Sequence, residues 1–510
     1  MISIINVLIG LIFATVFFMF RTDILWFIRS LKYFRQGITS RYYPIKGFMK
    51  YAEEVPGEDS LVNWAKIFWK NGDPNKTEKF ILANGYGPTP VLILNDTHLN
   101  REYYKMKEKV SYAANNANLP FEDCFLFKDP TKAMKQRSVF NPLFLVNNMR
   151  KATPEIIKII NRHFASMKRR IPQKPSQDGF TELSLQNDMQ AISRDIVSYF
   201  LFGEEAPKVF GESISDQIEK LVGGFYVHFT SDFWHQASGG LSTKLGLSSN
   251  YNKLRKIQLA VHEEIKKLVN HRRNSKDYVR GMNVIDVMLD HNDQMDAEGR
   301  PEEKFSSIEI MDNISIMVFG GIETTKNFML NCIDHLSKNP EFQTKLRDAV
   351  RKDVFSKKEP SYNYYTQSEF LEIYLFEALR VFSSGWMTIY RIISKDFTLG
   401  GIKISKGTGF LVSYYSMMKR PEFFEDPTAF DLRKYEDKER IQELKKHMLI
   451  PFGTGARNCI GRNLARLTAK AVISNLVDQF ELRPTKKINY KVAKFTYAVV
   501  HCDTLVKPLK

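Results

Sequence analysis

Apolar residues recur at three- and four-residue spacing through 151–170, 182–202, 252–270, 306–338 and 368–382. That is the period of helices packed on a core by one face. Strand-like pieces are short: PVLILN at 90–95, FTLGGIKI at 397–404 and TGFLVSYY at 408–415. Gly400-Gly401 predicts a tight hairpin turn, since its backbone demands positive φ and glycine meets that without strain. No Gly/Ser- or Pro-rich linker interrupts these stretches and no repeat is visible. The pattern predicts a mainly α chain with a small sheet, folded as one domain.

The N-terminus departs from this pattern. Residues 1–20, MISIINVLIGLIFATVFFMF, carry no charge. As a helix rising about 1.5 Å per residue they would cover about 30 Å, the thickness of a bilayer's hydrocarbon core. A basic start, a shorter apolar region and a small-residue cleavage site, the marks of a signal peptide, are not evident. Arg21, Arg29, Lys32 and Arg35 follow at once, which predicts a single-pass anchor with the rest of the chain in the cytosol. Ile24, Leu25, Trp26, Phe27, Ile28 and Leu31 stand among those charges, as on a helix lying at a membrane surface. The expected division is a transmembrane anchor over 1–20, a basic membrane-surface segment over 21–35 and a catalytic domain over 36–510.

Composition narrows the class. With 43% hydrophobic residues, 38 Phe and 22 Tyr, the chain can fill a large apolar interior or line a large apolar pocket, and it is not disordered. The net charge of +17 suggests an anionic partner, either a membrane surface or an acidic protein. No nucleic-acid motif accompanies the charge, so no nucleic acid is expected. Cys124, Cys332, Cys459 and Cys502 lie far apart with no CxxC pair. That argues against a disulfide framework and a paired-cysteine zinc site, and for a reducing compartment.

Three stretches carry candidate chemistry. The helix running from Ile308 to His335 holds FGGIETTKN at its centre, where glycines cost about 1 kcal/mol each relative to alanine. A close backbone approach or a kink is expected there, with Glu323 and Thr324 one turn beyond Gly320-Gly321. A packing notch with Glu323 facing solvent reads the same residues equally well. Next, Glu377 and Arg380 stand at i,i+3 among Tyr374, Leu375, Phe376, Leu379 and Val381, so part of that pair is expected to be buried. Last, PFGTGARNCIG at 451–461 sets Cys459 among three glycines. Taken alone this cysteine could be a nucleophile, a metal ligand, a redox partner or a small buried hydrophobe.

In their order, these stretches resemble the cytochrome P-450 family of haem-thiolate monooxygenases. The matches are Gly-Gly-x-Glu-Thr-Thr at 320–325, Glu-x-x-Arg at 377–380, DPTAFDLRKY at 426–435 and Phe-x-x-Gly-x-Arg-x-Cys-x-Gly at 452–461. More loosely, the resemblance extends over about residues 36–505. It implies a large helical domain with a small β-rich subdomain and haem b (iron protoporphyrin IX) as cofactor. Cys459 would be the thiolate ligand of the iron, and a thiolate favours O–O cleavage. Gly453, Gly455 and Gly461 would shape its cradle, Phe452 would shield the proximal face, and Arg457, Arg391 and Arg137 would pair with propionates. Across the haem, Gly320 and Gly321 would make room for dioxygen, and Glu323 and Thr324 would deliver protons. Glu377 and Arg380 would be structural, tied to the segment carrying Arg433 and Lys434. Phe319, Trp386 and Met387 are the expected substrate contacts.

Two departures from the family pattern stand out. Ala133 occupies the usual tryptophan position of the helix that carries Arg137. Lys434 occupies the usual arginine position, with Arg433 beside it and Tyr435 in place of Phe or Trp. Lysine lacks the planar fork of arginine, so either residue could complete the Glu377–Arg380 network. The resemblance implies a monooxygenase acting on a lipophilic small molecule, with electrons from NADPH through a flavoprotein reductase and with cytochrome b5 as an optional partner. The expected site is the endoplasmic reticulum membrane. A reductase-independent isomerase or dehydratase and a non-enzymatic haem sensor are the rival readings.

Overall fold

The computed structural model describes residues 23–42, 68–70, 73–84, 89–113, 121–172, 178–203, 207–209, 211–231, 243, 245–275, 277–357, 361–421, 423–437, 439, 441–442, 444, 451–455, 457–493 and 496–509. The expected anchor over 1–20 lies outside them. Eleven helices organise the site: α1 (Thr97–Val110), α2 (Pro130–Phe140), α3 (Val146–Arg169), α4 (Leu185–Phe202), α5 (Ile214–Ser231), α6 (Ser249–Asn274), α7 (Val284–Ala297), α8 (Ser307–Lys338), α9 (Pro340–Val350), α10 (Glu369–Val381) and α11 (Arg462–Gln479). All five stretches with helical periodicity are helices, with ends shifted by a few residues.

Helix α8 is the axis of the fold. It starts at a capping box, in which Ser306 accepts the Glu309 N–H and the Glu309 carboxylate accepts the Ser306 N–H. It runs unbroken to Lys338, so the expected weak centre produces no break in the helix. A helix apolar on nearly every side belongs in the middle of a bundle, and α8 packs on α4, α5, α9, α10 and α11. From Ile310 to Ser337 its burial lapses only at Phe319, Gly320, Gly321, Glu323 and Thr324. Among the described residues the stretch Pro301–Lys338 alone is long and apolar enough to cross a bilayer, yet most of it is packed inside the protein.

Strands β1 (Thr39–Arg41), β2 (Phe80–Asn84), β3 (Pro90–Leu94), β4 (Ser111–Ala113), β6 (Arg391–Ile393) and β9 (Gly409–Val412) form one sheet in the order β1-β2-β3-β9-β6-β4. Its β1–β2 and β3–β9 pairs are parallel and the others antiparallel. Between β6 and β9, β7 (Phe397–Leu399) and β8 (Ile402–Ile404) make the expected hairpin. Gly400 and Gly401 turn it with φ of 58° and 81°, the positive values a two-residue hairpin loop requires. A further sheet joins β5 (Thr181–Ser184), β10 (Phe480–Ala493) and β11 (Thr496–Pro508) in the order β10-β11-β5. The stretch expected as helix over 182–202 therefore begins as a strand. The β10–β11 pairing escapes the period-2 pattern because Pro484 interrupts it and the register shifts beyond Pro484 and again at Asn489.

Residues 23–34 are helical, and this helix has two apolar faces. Trp26, Ser30 and Tyr33 are buried against the six-stranded sheet, where Trp26 Nε1 donates to Ala83 O at 3.0 Å and Tyr33 Oη meets Thr408 Oγ1 at 2.5 Å. Ile24, Leu25, Phe27, Ile28 and Leu31 remain exposed.

Candidate active site

The segment before α11 is folded around its glycines. Gly453 and Gly455 adopt φ of 69° and 73°, which L side chains resist. A Cβ on Gly453 would also lie 3.1 Å from Tyr414 Oη. The turn is closed by the Cys459 N–H donating to Phe452 O at 2.7 Å and the Asn458 N–H donating to Gly455 O at 3.1 Å. Gly461 is the N-cap of α11, so the thiol sits at the positive end of an 18-residue helix. Cys459 keeps a large accessible surface, but that surface faces an internal cavity rather than the outside. Burial holds its thiol above the ordinary range, while the Gly461 N–H, Arg137 and Arg462 favour the anion.

The cavity measures about 440 Å³ and takes its lining from both halves of the site. Phe452, Gly453, Arg457, Cys459 and Gly461 bound it on the α11 side, and Phe319, Gly320, Gly321, Glu323 and Thr324 on the α8 side. A Cβ on Gly461 or Gly320 would meet nothing within 4 Å, so both glycines border open space. Gly321 differs. A Cβ there would lie 2.8 Å from Val197 Cγ2, so this glycine allows α4 to approach α8 closely. The close approach expected of the glycine pair is thus made by one member, while the other leaves room over the cavity.

Thr324 Oγ1 donates to Gly320 O at 2.7 Å, which aims the hydroxyl along the cavity face of α8. Glu323 is half-buried and carries Glu219 of α5 behind it. Burial pushes the Glu219 carboxyl up; Lys326 and Gln190 oppose this, and the negative charges of Glu323 and Asp216 add to it. Gln190 Nε2 holds Glu219 Oε2 at 2.8 Å.

Three arginines reach the cavity from separate elements. Arg137 comes from the last turn of α2, a helix begun by Asp129 as cap and Pro130 at its first turn, and its Nη2 donates to Asn458 Oδ1 at 2.9 Å. Arg391 lies on β6. Arg457 donates to Phe125 O at 3.1 Å and Leu126 O at 3.4 Å. Ala133 is fully buried, and among the described residues of α2 Arg137 alone lines the cavity.

The Glu377–Arg380 pair is buried completely, beyond the partial burial expected. Arg380 Nε and Nη2 reach Glu377 Oε2 and Oε1, both at 2.7 Å. Its remaining N–H groups go to Met418 O, Pro427 O and Ala429 O at 3.3, 2.5 and 2.6 Å. A buried guanidinium with all five donors used is the arrangement that offsets desolvation. Burial works to raise the Glu377 carboxyl, but bonding to Arg380, the Asp431 N–H and Tyr435 holds it below its ordinary value. Of the two residues that could complete this network, Arg433 lies outside it, its guanidinium on Asp431 and its side chain 82% exposed. Lys434 takes the inner place, with Nζ 3.8 Å from Glu377 Oε1 and hydrogen bonds to Asp426 O and Ala429 O. Sequence reasoning missed the hydroxyl of Tyr435, which donates to Glu377 Oε2 at 2.7 Å and which Phe or Trp would lack.

Phe319 and Met387 line the cavity. Trp386 is a correction. Its side chain is fully buried and takes no part in the cavity wall, although Gly385 before it and Met387, Thr388 and Ile389 after it line that wall. The loop 121–128 contributes Phe125, Leu126 and Phe127.

The family model for cytochrome P450 matches residues 76–500, most of the chain. Among curated proteins, the chain is similar to cytochrome P450 3A28 of Bos taurus, 29% identical over 216 residues, or 42% of each chain. It is also similar to cytochrome P450 3A19 of Capra hircus aegagrus, 29% identical over 37% of this chain and 86% of the relative. A third match is cytochrome P450 3A41 of Mus musculus, 27% identical over 44% of this chain and 45% of the relative. The matched segment thus spans less than half of the bovine and mouse relatives. With the family model covering residues 76–500, the chain belongs to the cytochrome P450 family.

Proposed function

We propose that this protein is a haem-dependent monooxygenase that inserts one atom of dioxygen into a lipophilic substrate and reduces the other to water. The observation that carries the proposal is a cysteine thiol opening into an apolar cavity whose far wall bears Glu323 and Thr324. The residues suit a haem. The thiol stands at a helix N-terminus, and open space lies over Gly461 and Gly320 on opposite sides. The cationic groups of Arg137, Arg391 and Arg457 border the cavity and are opposite in sign to the haem propionates. Cys459 would hold the iron and the arginines the carboxylates. When bound, the haem supplies the activation of dioxygen.

The protein groups supply binding, proton supply and the exclusion of water. Because Thr324 gives its hydroxyl hydrogen to Gly320 O, its lone pairs are available to receive a proton from a carboxyl group. Glu323 on α8 and Glu219 on α5, close enough to feel each other's charge, lead away from that hydroxyl as the order of resupply from solvent. The aromatic wall of Phe125, Phe127, Phe144, Phe200, Phe319 and Phe328 selects apolar molecules and excludes bulk water.

Electrons are assigned to NADPH through a flavoprotein reductase, with cytochrome b5 as an alternative donor; the net charge of +17 suits an acidic partner. A membrane anchor over 1–20 and residence in the endoplasmic reticulum complete the reading. The exposed apolar side of helix 23–34 supports attachment to lipid. The test is spectral and then catalytic. The reduced, carbon monoxide-bound protein is expected to show the red-shifted Soret band of thiolate ligation, and a histidine-type band overturns the assignment. With reductase and a lipid extract, NADPH consumption must be coupled to an oxygenated product.

A further inference from the structure

Loop 121–128 forms part of the cavity wall; Arg457 and Gln136 bind its carbonyls, and two neighbouring polar residues of α8 bind its amides. Asp312 Oδ2 accepts the Asp123 N–H at 2.9 Å, and Asn313 Oδ1 accepts the Phe125 N–H at 2.9 Å. Asn313 is itself fixed, donating to Glu309 O at 2.7 Å and to Gln136 Oε1 at 3.4 Å, while Gln136 Nε2 donates to Glu309 Oε1 at 3.0 Å. The other Asp312 oxygen is not settled. Oδ1 faces His262 Nε2 of α6 at 3.6 Å, and both atoms are buried without a hydrogen bond. That separation counts as an ion pair, yet burial acts against charge on either group. One proton between the two would satisfy both, whereas two isolated charges would be costly there.

We propose that Asp312 is a positioning residue for the substrate cavity: protonated, it bridges the Asp123 amide and His262 and holds loop 121–128 closed, and its ionisation loosens the loop. Protonated Oδ1 would donate to His262 Nε2 once the two atoms close their 3.6 Å separation, while Oδ2 still accepts from Asp123. Burial pushes the Asp312 carboxyl up to about 7. The Asp123 amide opposes this, the Asp123 carboxylate adds to it, Lys128 opposes, and Glu122 adds. His262 is pushed down to about 4 by burial and by Arg255, with Glu263 opposing. From its own helix, Glu309 faces Lys128, which is paired with Asp123. Once Asp312 ionises, its charge faces Asp123 and Glu122 on the very loop it holds. Closing the loop raises this carboxyl from the ordinary value of about 4, so closure is most favoured at low pH and weakens as pH rises toward about 7.

The inference deepens the proposed reading, since the loop walls the same cavity, but its readout is amide exchange on the haem-loaded full chain. A histidine-type carbon monoxide spectrum would sink the proposed function and leave this test standing. After correction for intrinsic base catalysis, wild-type protection at Asp123 and Phe125 is expected to fall about tenfold between about pH 6 and 8. Asp312→Asn keeps the acceptor and places an N–H where the carboxyl proton would be, so both amides should stay protected across that range. Asp312→Ala should expose the Asp123 amide already at the lower pH. Wild-type pH dependence in Asp312→Asn, or wild-type protection in Asp312→Ala, overturns the proposal.

Discussion

Glu377–Arg380 and Asp312–His262 are both buried pairs of titratable side chains, and they are built in opposite ways. In the first, two oxygens meet two nitrogens at 2.7 Å, three carbonyls take the remaining N–H groups, and Tyr435 and the Asp431 amide complete the carboxylate. In the second, two polar atoms face each other at 3.6 Å with no hydrogen bond. A saturated pair has one arrangement, which makes it framework. An under-satisfied pair has two protonation patterns of comparable cost, which makes it responsive.

The largest effect should come from the saturated pair. Arg380→Ala removes the cation that neutralises the buried Glu377 and one donor from each of three carbonyls, which should cost about 3–5 kcal/mol. Denaturant unfolding and the recovered fraction of haem-loaded protein measure it, and near wild-type stability would erase the distinction between the pairs. Tyr435→Phe removes one hydrogen bond to a charged group and should cost about 1.5–3 kcal/mol by the same unfolding assay. Lys434→Ala should cost about 1 kcal/mol, since Nζ bonds two carbonyls but stands 3.8 Å from Glu377. Asp312→Asn should change global stability by less than about 1 kcal/mol, because each hydrogen-bonding position is kept. Arg433→Ala should leave the unfolding curve unchanged, and a clear loss there would return Arg433 to the network.

The pairs should also part in their pH dependence. Glu377 is held below its ordinary value, so its contribution is complete above the usual carboxylate range of about 4 and is lost as pH falls through the depressed value. Asp312 is raised, so its contribution is complete at low pH and fades as pH rises toward about 7. Unfolding free energies and loop amide exchange followed over the same pH series should therefore run in opposite directions.

Legibility in the sequence followed how local each cause was. Helix α8, the Gly400-Gly401 hairpin and the cysteine loop are set by residues close in sequence, and each was readable. The β10–β11 sheet depends on long-range pairing with shifted register, and Pro484 hides its alternation. Trp386 and Met387 are neighbours with the same preference for apolar surroundings, so composition does not say which one turns inward. Tyr435 could be seen to differ from Phe or Trp, but its hydroxyl acquires meaning only through Glu377, 58 residues away. Asp312 and Asn313 offered a cue in being polar within the apolar run from Ile310 to Phe319. Their partners on loop 121–128 and on α6 come from the tertiary fold.

Arg457 gives the site one more property. It stands two residues before Cys459 and donates to the carbonyls of Phe125 and Leu126, residues that wall the cavity. The chain that presents the thiol and the chain that would touch a substrate are therefore one mechanical unit. A change at the cysteine loop is therefore passed to the chamber wall through these two bonds.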